Sequence, residues 1–541
     1  MAVADAYDVV VLGTGAGGLA AAVTAAALGA SVGVFEKAGT VGGTTAVSGG
    51  VAWIPAHDRP DAPVPLPVDD ALTYLGALSN GTIDERLAEV FVRSAPLAVR
   101  FLEAHTPLRL AVTEGFPDYK PELPGGKAAG GRSLSPAPFD FAALGDWAGR
   151  VTAFPDDYSN VGFDAETRAR IWAGRELGPG ADVRVAGQAL VGSLLRGLLD
   201  LGVEPQTSAR AVELVCAGGA VTGVRLQIED GVREVRARRG VVLATGGFEW
   251  DPELVRAFLR GPMHGPTSPP NNTGDGLRMA MRAGAALGNM AEAWWVPIVQ
   301  IPGDTLGGQQ RNRSVRLERT RPRSIMVNRA GRRFANEAGD YHSLGGAFHQ
   351  FDPARFEYPN LPAWIVFDAE HLRRYGFLGV AAGDPVPAWF HESASLAELA
   401  ERLGADGAAL GRTVEAWNEH AGRLEDPDFG RGRSSYDGHW GDSTAPTLAA
   451  RTLGPLDTPP YYAVRVGIGA MGTKGGPRTD DNGQVLDLDG HPIGGLYAAG
   501  NAMAGTTGMA YGGAGGTIGP ALTWGHRAAH RAATGSKAPA A

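Results

Sequence analysis

Residues 7–36 read YDVVVLGTGAGGLAAAVTAAALGASVGVFE, and the architecture is set by this stretch. Tyr7 to Leu12 is a short apolar run of the kind that forms a parallel strand buried on both faces. The turn Gly13-Thr14-Gly15-Ala16-Gly17-Gly18 comes at once, then Leu19 to Leu28 with good helical propensity. A second strand, Ser31 to Phe35, ends at an acid, Glu36. A lone G-x-G-x-x-G says little, but here strand, glycine turn, helix, strand and acid stand in the required order. Gly13 makes the tight turn, Gly15 lets the backbone approach a pyrophosphate, and Gly18 lets helix and strand pack closely. The helix N-terminus offers unpaired N–H groups and the positive end of its dipole to the phosphates. Glu36, 18 residues after Gly18, is placed for a ribose hydroxyl. A glycine turn with a purely structural role is the competing reading, and the complete motif context counts against it.

The residues after Glu36 separate FAD from NAD. Beyond Lys37 and Ala38 lies a second run of small and hydroxyl residues, GTVGGTTAVSGG at 39–50, which suits another loop wrapped on a long cofactor. Its Gly43, Thr44, Thr45, Ser48, Gly49 and Gly50 are candidate FAD contacts, as are Ala16 and Gly17 in the first turn. A buried strand and small-residue turn, GGLYAAGN at 494–501, brings Gly500 and Asn501 from the far end of the chain. Between them, VVLATGG at 241–247 is another apolar strand ending in a turn, contributing Ala244, Thr245 and Gly246. Val212, Asp275, Gly516, Thr517 and Ile518 complete the candidate set. A separate nicotinamide domain is not expected.

The cofactor segments are scattered, which predicts a discontinuous α/β Rossmann-type FAD domain holding an inserted α+β substrate (capping) domain. We place the first part of the FAD domain at 1–289, the inserted domain at 290–458 and the second part at 459–541. Residues 393–423 have helical periodicity with Ser393 or Ser395 as N-cap. Residues 105–180 read as an irregular excursion rich in Gly and Pro, and the tail from Thr534 to Ala541 as disordered.

At 541 residues the chain is long enough for two or more domains. Its net charge of -9 argues against a nucleic-acid partner, which would require a basic surface. Cys216 stands alone, so a disulfide framework, a Cys-rich zinc site and an iron–sulfur cluster are excluded. His57, His342 and His349 lack the spacing of metal ligands, and no metal is expected. No G-x-S-x-G elbow is present for serine catalysis. The start has no basic region of a signal peptide, and the most apolar stretch, 17–30, is too short to span a bilayer. A cytoplasmic protein with no transmembrane segment is expected, peripheral membrane contact being open for a sterol substrate.

Taken together the motifs resemble the fumarate reductase/succinate dehydrogenase flavoprotein superfamily, and within it the 3-ketosteroid Δ1-dehydrogenases. The resemblance covers nearly the whole chain. GTGAGG at 13–18, GGTTAVSGG at 42–50, ATGGF at 244–248, NTGDG at 272–276, VNRAGRRFANE at 327–337 and GLYAAGN at 495–501 carry it at the superfamily level. Trp53-Ile54-Pro55, Asn336-Glu337 followed by Tyr341, and YGGAGGTIGPALT at 511–523 carry it at the subgroup level. The last resembles a Y-P-G-P-G-x-T-I-G-P pattern in which both prolines are replaced here, by Gly512 and Ala514. Such a loop, taken alone, is more flexible than its proline-bearing counterpart.

The resemblance implies a reaction: a base removes the proton beside a ring ketone while hydride leaves the next carbon for flavin N5. Donors at the ketone oxygen, where negative charge develops, contribute roughly 3–4 kcal/mol each. By resemblance the Tyr511 hydroxyl and the Gly515 N–H are those donors, Tyr341 is the base and Tyr119 assists it. A free Tyr titrates near pH 10, so a tyrosine base must be depressed by neighbours or share its proton. The implied substrate is a small-molecule ketone, a 3-ketosteroid first, with a diffusible acceptor such as a quinone or oxygen taking the electrons. Three alternatives stay open. A non-steroidal cyclic ketone suits the altered loop. A fumarate-type reductase needs Arg and His around a dicarboxylate, yet after Glu337 the next arginine is Arg355. A flavin electron carrier would have no need of the large insert.

Overall fold

The computed structural model describes residues 6–153 and 182–539. Val9, Val10, Val11 and Leu12 are at most 1% exposed, the continuous burial expected of a strand covered on both faces. Their strand, Ala6–Leu12, pairs in parallel with Val32–Phe35 on one side and with the end of the long strand Gly231–Leu243 on the other. The latter pairs in parallel with Pro492–Ala498. Register sets Leu12 level with Phe35 and Leu243, and Leu243 level with Ala498. Four strand ends therefore deliver Gly13, Glu36, Ala244 and Ala499 to one edge, where open α/β sheets bind ligands. The remaining pairings, through Ala220–Ile228, Arg210–Ala217 and Gln484–Leu486, are largely antiparallel, so this seven-stranded sheet is mixed.

The helix Ala16–Ala27 is buried on nearly every side, which its run of alanines and glycines permits. It packs along the C-terminal helix Ile518–Thr534, close enough that a Cβ at Gly525 would meet Gly17 O at 2.3 Å. That helix includes Thr534 and is closed by Gly535 in the left-handed region, and Ala538 beyond it is buried. The tail expected to be disordered, 534–541, starts at the last residue of this helix, and residues 540–541 lie outside the described residues.

The second sheet is antiparallel and runs in the order Gln309–Ser314, Ala293–Leu306, Tyr461–Thr473, Ala363–Asp368, Ser324–Asn328, with His391–Ser393 beside Tyr461–Thr473. Its central strand, 461–473, lies just beyond residue 458, where the inserted domain is expected to end. The helical stretch 393–423 forms two helices, Leu396–Leu403 and Gly407–Gly422. Ser395 caps the first by accepting from Glu398 N–H, and Gly404 ends it in the left-handed region.

The expected excursion at 105–180 lies partly outside the described residues. Its described part adds Leu110–Val112 and Ser133–Pro136 to Ala52–Trp53 as a three-stranded sheet. This small sheet fixes Trp53 and the chain around Tyr119. No helix among the described residues is long and apolar enough to cross a membrane. An aromatic cluster of Phe116, Tyr119, Trp294, Tyr341, Tyr436, Trp440 and Tyr511 gathers residues from the small sheet's loops, the second sheet and the segment before the last helix.

Candidate active site

A cavity of about 1240 Å³ starts at the carboxyl edge of the first sheet and ends at that aromatic cluster. Its first half is lined by Gly13, Gly15, Ala16, Gly17, Glu36, Lys37, Ala38, Gly43, Thr44, Thr45, Ser48, Gly49, Gly50, Ala244, Thr245, Gly246, Asp275, Gly500, Asn501, Thr517 and Ile518. Three expected contacts are not on this wall. Gly18 lies behind it, where a Cβ would meet Gly13 O at 2.0 Å, so its glycine serves packing. Val212 alternates with Ala211 along a strand, and it is Ala211 that lines the cavity. Gly516 is backed against the Tyr511 ring, 2.8 Å from a Cβ placed on it.

The polar groups of this half are arranged for a long phosphorylated ligand. A Cβ at Gly15 would come no nearer than 3.5 Å to protein, so the room above it belongs to a ligand rather than to a packed neighbour. Glu36 accepts from the Thr14 hydroxyl at 2.7 Å and from Ala38 N–H at 3.0 Å. That leaves lone pairs for a ribose hydroxyl. Lys37 donates to Asp275 at 3.0 Å and to Thr273 at 2.6 Å, and Arg210 donates to Asp275 at 2.7 Å. Burial pushes the Asp275 carboxyl up, but Arg210 and Lys37 together bring it below its ordinary value. Asn272, not foreseen, donates to Thr44 at 2.9 Å and to Glu249 at 2.6 Å, tying the 42–50 loop to the NTGDG turn. The donor set, the glycine cradle and the cavity length fit FAD.

The second half holds all four expected catalytic residues, Tyr119, Tyr341, Tyr511 and Gly515. The Tyr119 and Tyr341 hydroxyls are hydrogen-bonded to each other. Ring centroids lie 4.9 Å apart for Tyr119 and Tyr511, and 5.8 Å for Tyr341 and Tyr511. Tyr436, which no motif marks, packs edge-on against Tyr119 at 4.9 Å. Trp294 packs edge-on against Tyr511 at 4.7 Å and donates to Asn501 at 3.0 Å. Its neighbour Trp295 points to the other face of the strand, against His349.

No tyrosine here is depressed. Burial, then the neighbouring hydroxyls, push Tyr119 and Tyr511 well above 10. Burial raises Tyr341 as well, but the Arg316 guanidinium 5.1 Å from its ring centroid and the hydroxyls of Tyr119 and Tyr511 pull it back. Tyr341 is thus the least raised of the three. The hydrogen bond between the Tyr341 and Tyr119 hydroxyls is the contact along which the expected sharing of a proton would run.

The loop without prolines is held from outside. Tyr74 hydroxyl donates to Gly512 O at 2.8 Å, Tyr119 N–H to the same oxygen at 3.0 Å, and Ser133 hydroxyl to Ala514 O at 2.9 Å. Trp53 N–H donates to Gly515 O at 3.0 Å, and the buried Lys474 ammonium to Ala510 O at 2.6 Å. Gly515 sits at φ +91°, where a Cβ would lie 2.4 Å from Val51 O. Only glycine is compatible with that backbone and that neighbour.

Two arginines outside the cavity wall are paired: Arg333 with Glu337 at 2.7 Å and Asp426 at 2.9 Å, and Arg323 with Asp368 at 2.5 Å. Both are structural. Arg355 is exposed and pairs with Asp352, away from the cavity wall. Burial, then the neighbouring Lys474, keeps His342 neutral against the opposing pull of Met509 O, which its Nε2 faces at 2.7 Å, while Nδ1 accepts from Trp295 N–H at 3.3 Å.

Comparison with known proteins places this geometry. The FAD binding domain family matches residues 8–518. A 4-oxocyclohexanecarboxylate 2-dehydrogenase from Sinomonas cyclohexanicum is 42% identical over 536 residues, spanning 96% of this chain and 92% of that one. A 3-oxosteroid 1-dehydrogenase from Mycobacterium tuberculosis is 37% identical over 569 residues, spanning 97% of each. The crystal structure of 3-ketosteroid Δ1-dehydrogenase from Sterolibacterium denitrificans, in complex with 1,4-androstadiene-3,17-dione, superposes with a TM-score of 0.90 at 35% identity. It covers 98% of this chain and 100% of that chain. The chain belongs to the FAD-binding-domain family, as an FAD-dependent dehydrogenase related to the 3-oxosteroid 1-dehydrogenases and the 4-oxocyclohexanecarboxylate dehydrogenases.

Proposed function

We propose that the chain introduces a C=C bond beside a ring ketone. The observation that carries this is the meeting of Tyr119, Tyr341, Tyr511 and Gly515 at one end of the dinucleotide cavity. Tyr511 hydroxyl and Gly515 N–H hold the ketone oxygen and stabilise the charge that develops on it. Tyr341, as the phenolate, takes the proton from the neighbouring carbon and becomes the neutral phenol, and the Tyr119 hydroxyl donates the hydrogen bond that stabilises the phenolate before the transfer. Trp294 and Tyr436 keep water from the rings and fix their orientation. FAD, held by the glycine turns, Glu36, Lys37 and Asp275, supplies the acceptor for the hydride that leaves the next carbon. A diffusible acceptor such as a quinone or oxygen then takes the electrons, a reading supported by the place of the second G-x-G-x-x-G, GIGAMG at 467–472, inside the strand Tyr461–Thr473 rather than at a strand-to-helix turn.

The substrates in view are a 3-ketosteroid, desaturated between its first two ring carbons, and a smaller cyclic ketone such as 4-oxocyclohexanecarboxylate. Relatives named for each span nearly the whole chain. The ring ketone is common to both. Anaerobic mixing of the holoenzyme with 4-androstene-3,17-dione, 4-oxocyclohexanecarboxylate and fumarate tests the reading through the flavin spectrum. A ring ketone should bleach the oxidised flavin. Oxidation of prereduced flavin by fumarate, with no bleaching by either ketone, would overturn it.

A further inference from the structure

Lys474 directly follows the strand Tyr461–Thr473 and is 1% exposed, yet among the described residues its ammonium pairs with no carboxylate. Nζ donates to Ala510 O at 2.6 Å and lies 3.4 Å from the Thr507 hydroxyl. It also stands over the Trp294 ring, 4.0 Å from the centroid. Glu292, whose charge favours the ammonium, is itself paired with Arg260 at 3.3 Å, and the neighbouring His342 is neutral. Burial, opposed by Glu292 and helped by Arg260, lowers Lys474 to about 7.

An uncompensated ammonium inside a fold is costly, and an apolar side chain of similar length avoids that cost. What the charge gains here is two contacts that converge on one residue. Ala510 precedes Tyr511 in the chain, and Trp294 packs edge-on against the Tyr511 ring at 4.7 Å. Trp294 in turn donates to Asn501, on the wall of the large cavity, at 3.0 Å. A cation is attracted to the face of an indole, and more strongly where both are out of water. Lys474 is not on the wall of the large cavity. It acts on the backbone beside Tyr511 and on the aromatic plate against which the Tyr511 ring rests.

We infer that Lys474 is a positioning residue, which holds the Tyr511 hydroxyl on the ketone oxygen through Ala510 O and the Trp294 ring, at a cost in stability. This rests on the ring-ketone reading above, in which Tyr511 is the donor. A donor to a developing charge is effective only when held within about 0.5 Å of its productive place.

The test compares wild type, Lys474→Met, Lys474→Gln and Tyr511→Phe holoenzymes, with 4-androstene-3,17-dione and 4-oxocyclohexanecarboxylate as substrates, by steady-state kinetics and thermal melts. Lys474→Met fills similar space without the charge and should melt a few degrees above wild type. A lysine at about 7 in the fold titrates near 10.4 when unfolded, so its cost is fully present below pH 7 and is relieved as pH rises towards 10. The gain in melting temperature should accordingly be larger at pH 6 than at pH 9. The same variant should lower kcat about 10- to 100-fold with KM within a few-fold, the loss expected of a misplaced catalytic group. Lys474→Gln keeps an N–H donor for Ala510 O without the charge, and its kcat should fall between the two. A lower melting temperature in Lys474→Met would make Lys474 an ordinary structural residue and overturn the inference. Wild-type kcat in Lys474→Met, with Tyr511→Phe impaired, would overturn it as well. Wild-type turnover in Tyr511→Phe, or no flavin reduction by either ketone, would instead bring down the ring-ketone reading on which it stands.

Discussion

Tyr511 and Tyr341 have similar burial but different surroundings, and this separates the roles proposed for them. The Arg316 guanidinium is the main influence opposing burial at Tyr341, whereas the neighbouring tyrosines add to burial at Tyr511. A hydroxyl that keeps its proton is a donor, and one that yields it more readily is a base. Tyr511→Phe should therefore leave KM within a few-fold while lowering kcat by about 10²–10³, the loss seen when one donor to a developing oxyanion is removed. Steady-state kinetics on the preferred ketone checks this, and wild-type turnover in the variant would sink the assignment. The sequence offered these tyrosines only through resemblance, since nothing in the spacing of residues 119, 341 and 511 marks them as neighbours. Arg316 and Tyr436 carried no motif at all.

At the scale of elements, the 511–516 loop shows how a turn can be rigid without proline. Its carbonyls accept from Tyr74, Tyr119, Ser133 and Trp53, each on a segment remote in sequence. These outside donors constrain the stretch where the related pattern has pyrrolidine rings. Restoring proline at the first position should consequently fail. A Cβ at 512 lies 2.7 Å from the Trp53 indole, which is fully buried and donates to Asp118 at 3.0 Å. Gly512→Pro is expected to lower both the melting temperature and kcat, against the usual gain of roughly 0.4–1 kcal/mol from a compatible proline. A stabilised, fully active variant would show that Trp53 can move aside. The paired helices at 396–403 and 407–422 follow the same logic in reverse, because Ser395 and Gly404 are local signals that act without tertiary help.

At the scale of the whole molecule, five histidines are held neutral, His342, His371 and His526 buried and His349 and His439 half-buried. Burial lowers His342 to about 3, and His349, His371, His439 and His526 to about 4. In the unfolded chain the same side chains titrate near 6.5. Below that pH the unfolded state binds more protons than the folded one, so stability falls as pH drops from about 6.5 towards 4. Each group contributes up to about 1.4 kcal/mol per pH unit across this window. Thermal melts of the holoenzyme should show the midpoint falling steadily from pH 7 to pH 5, and a flat profile would contradict the neutral buried histidines. The FAD-binding edge is written in the sequence itself. Glycines, a helix start and an acid within thirty residues are local requirements of backbone geometry, and residues 7–36 contain them all. The composite chamber that holds the candidate catalytic residues, by contrast, exists only in the folded chain. Its walls come from residues 116–119, 294–317, 341, 436–440, 471 and 511–515, and only the packing of three sheets brings those segments together. Local rules govern a turn within a few residues. Contacts across hundreds of residues depend on which buried faces meet, and no local pattern records that.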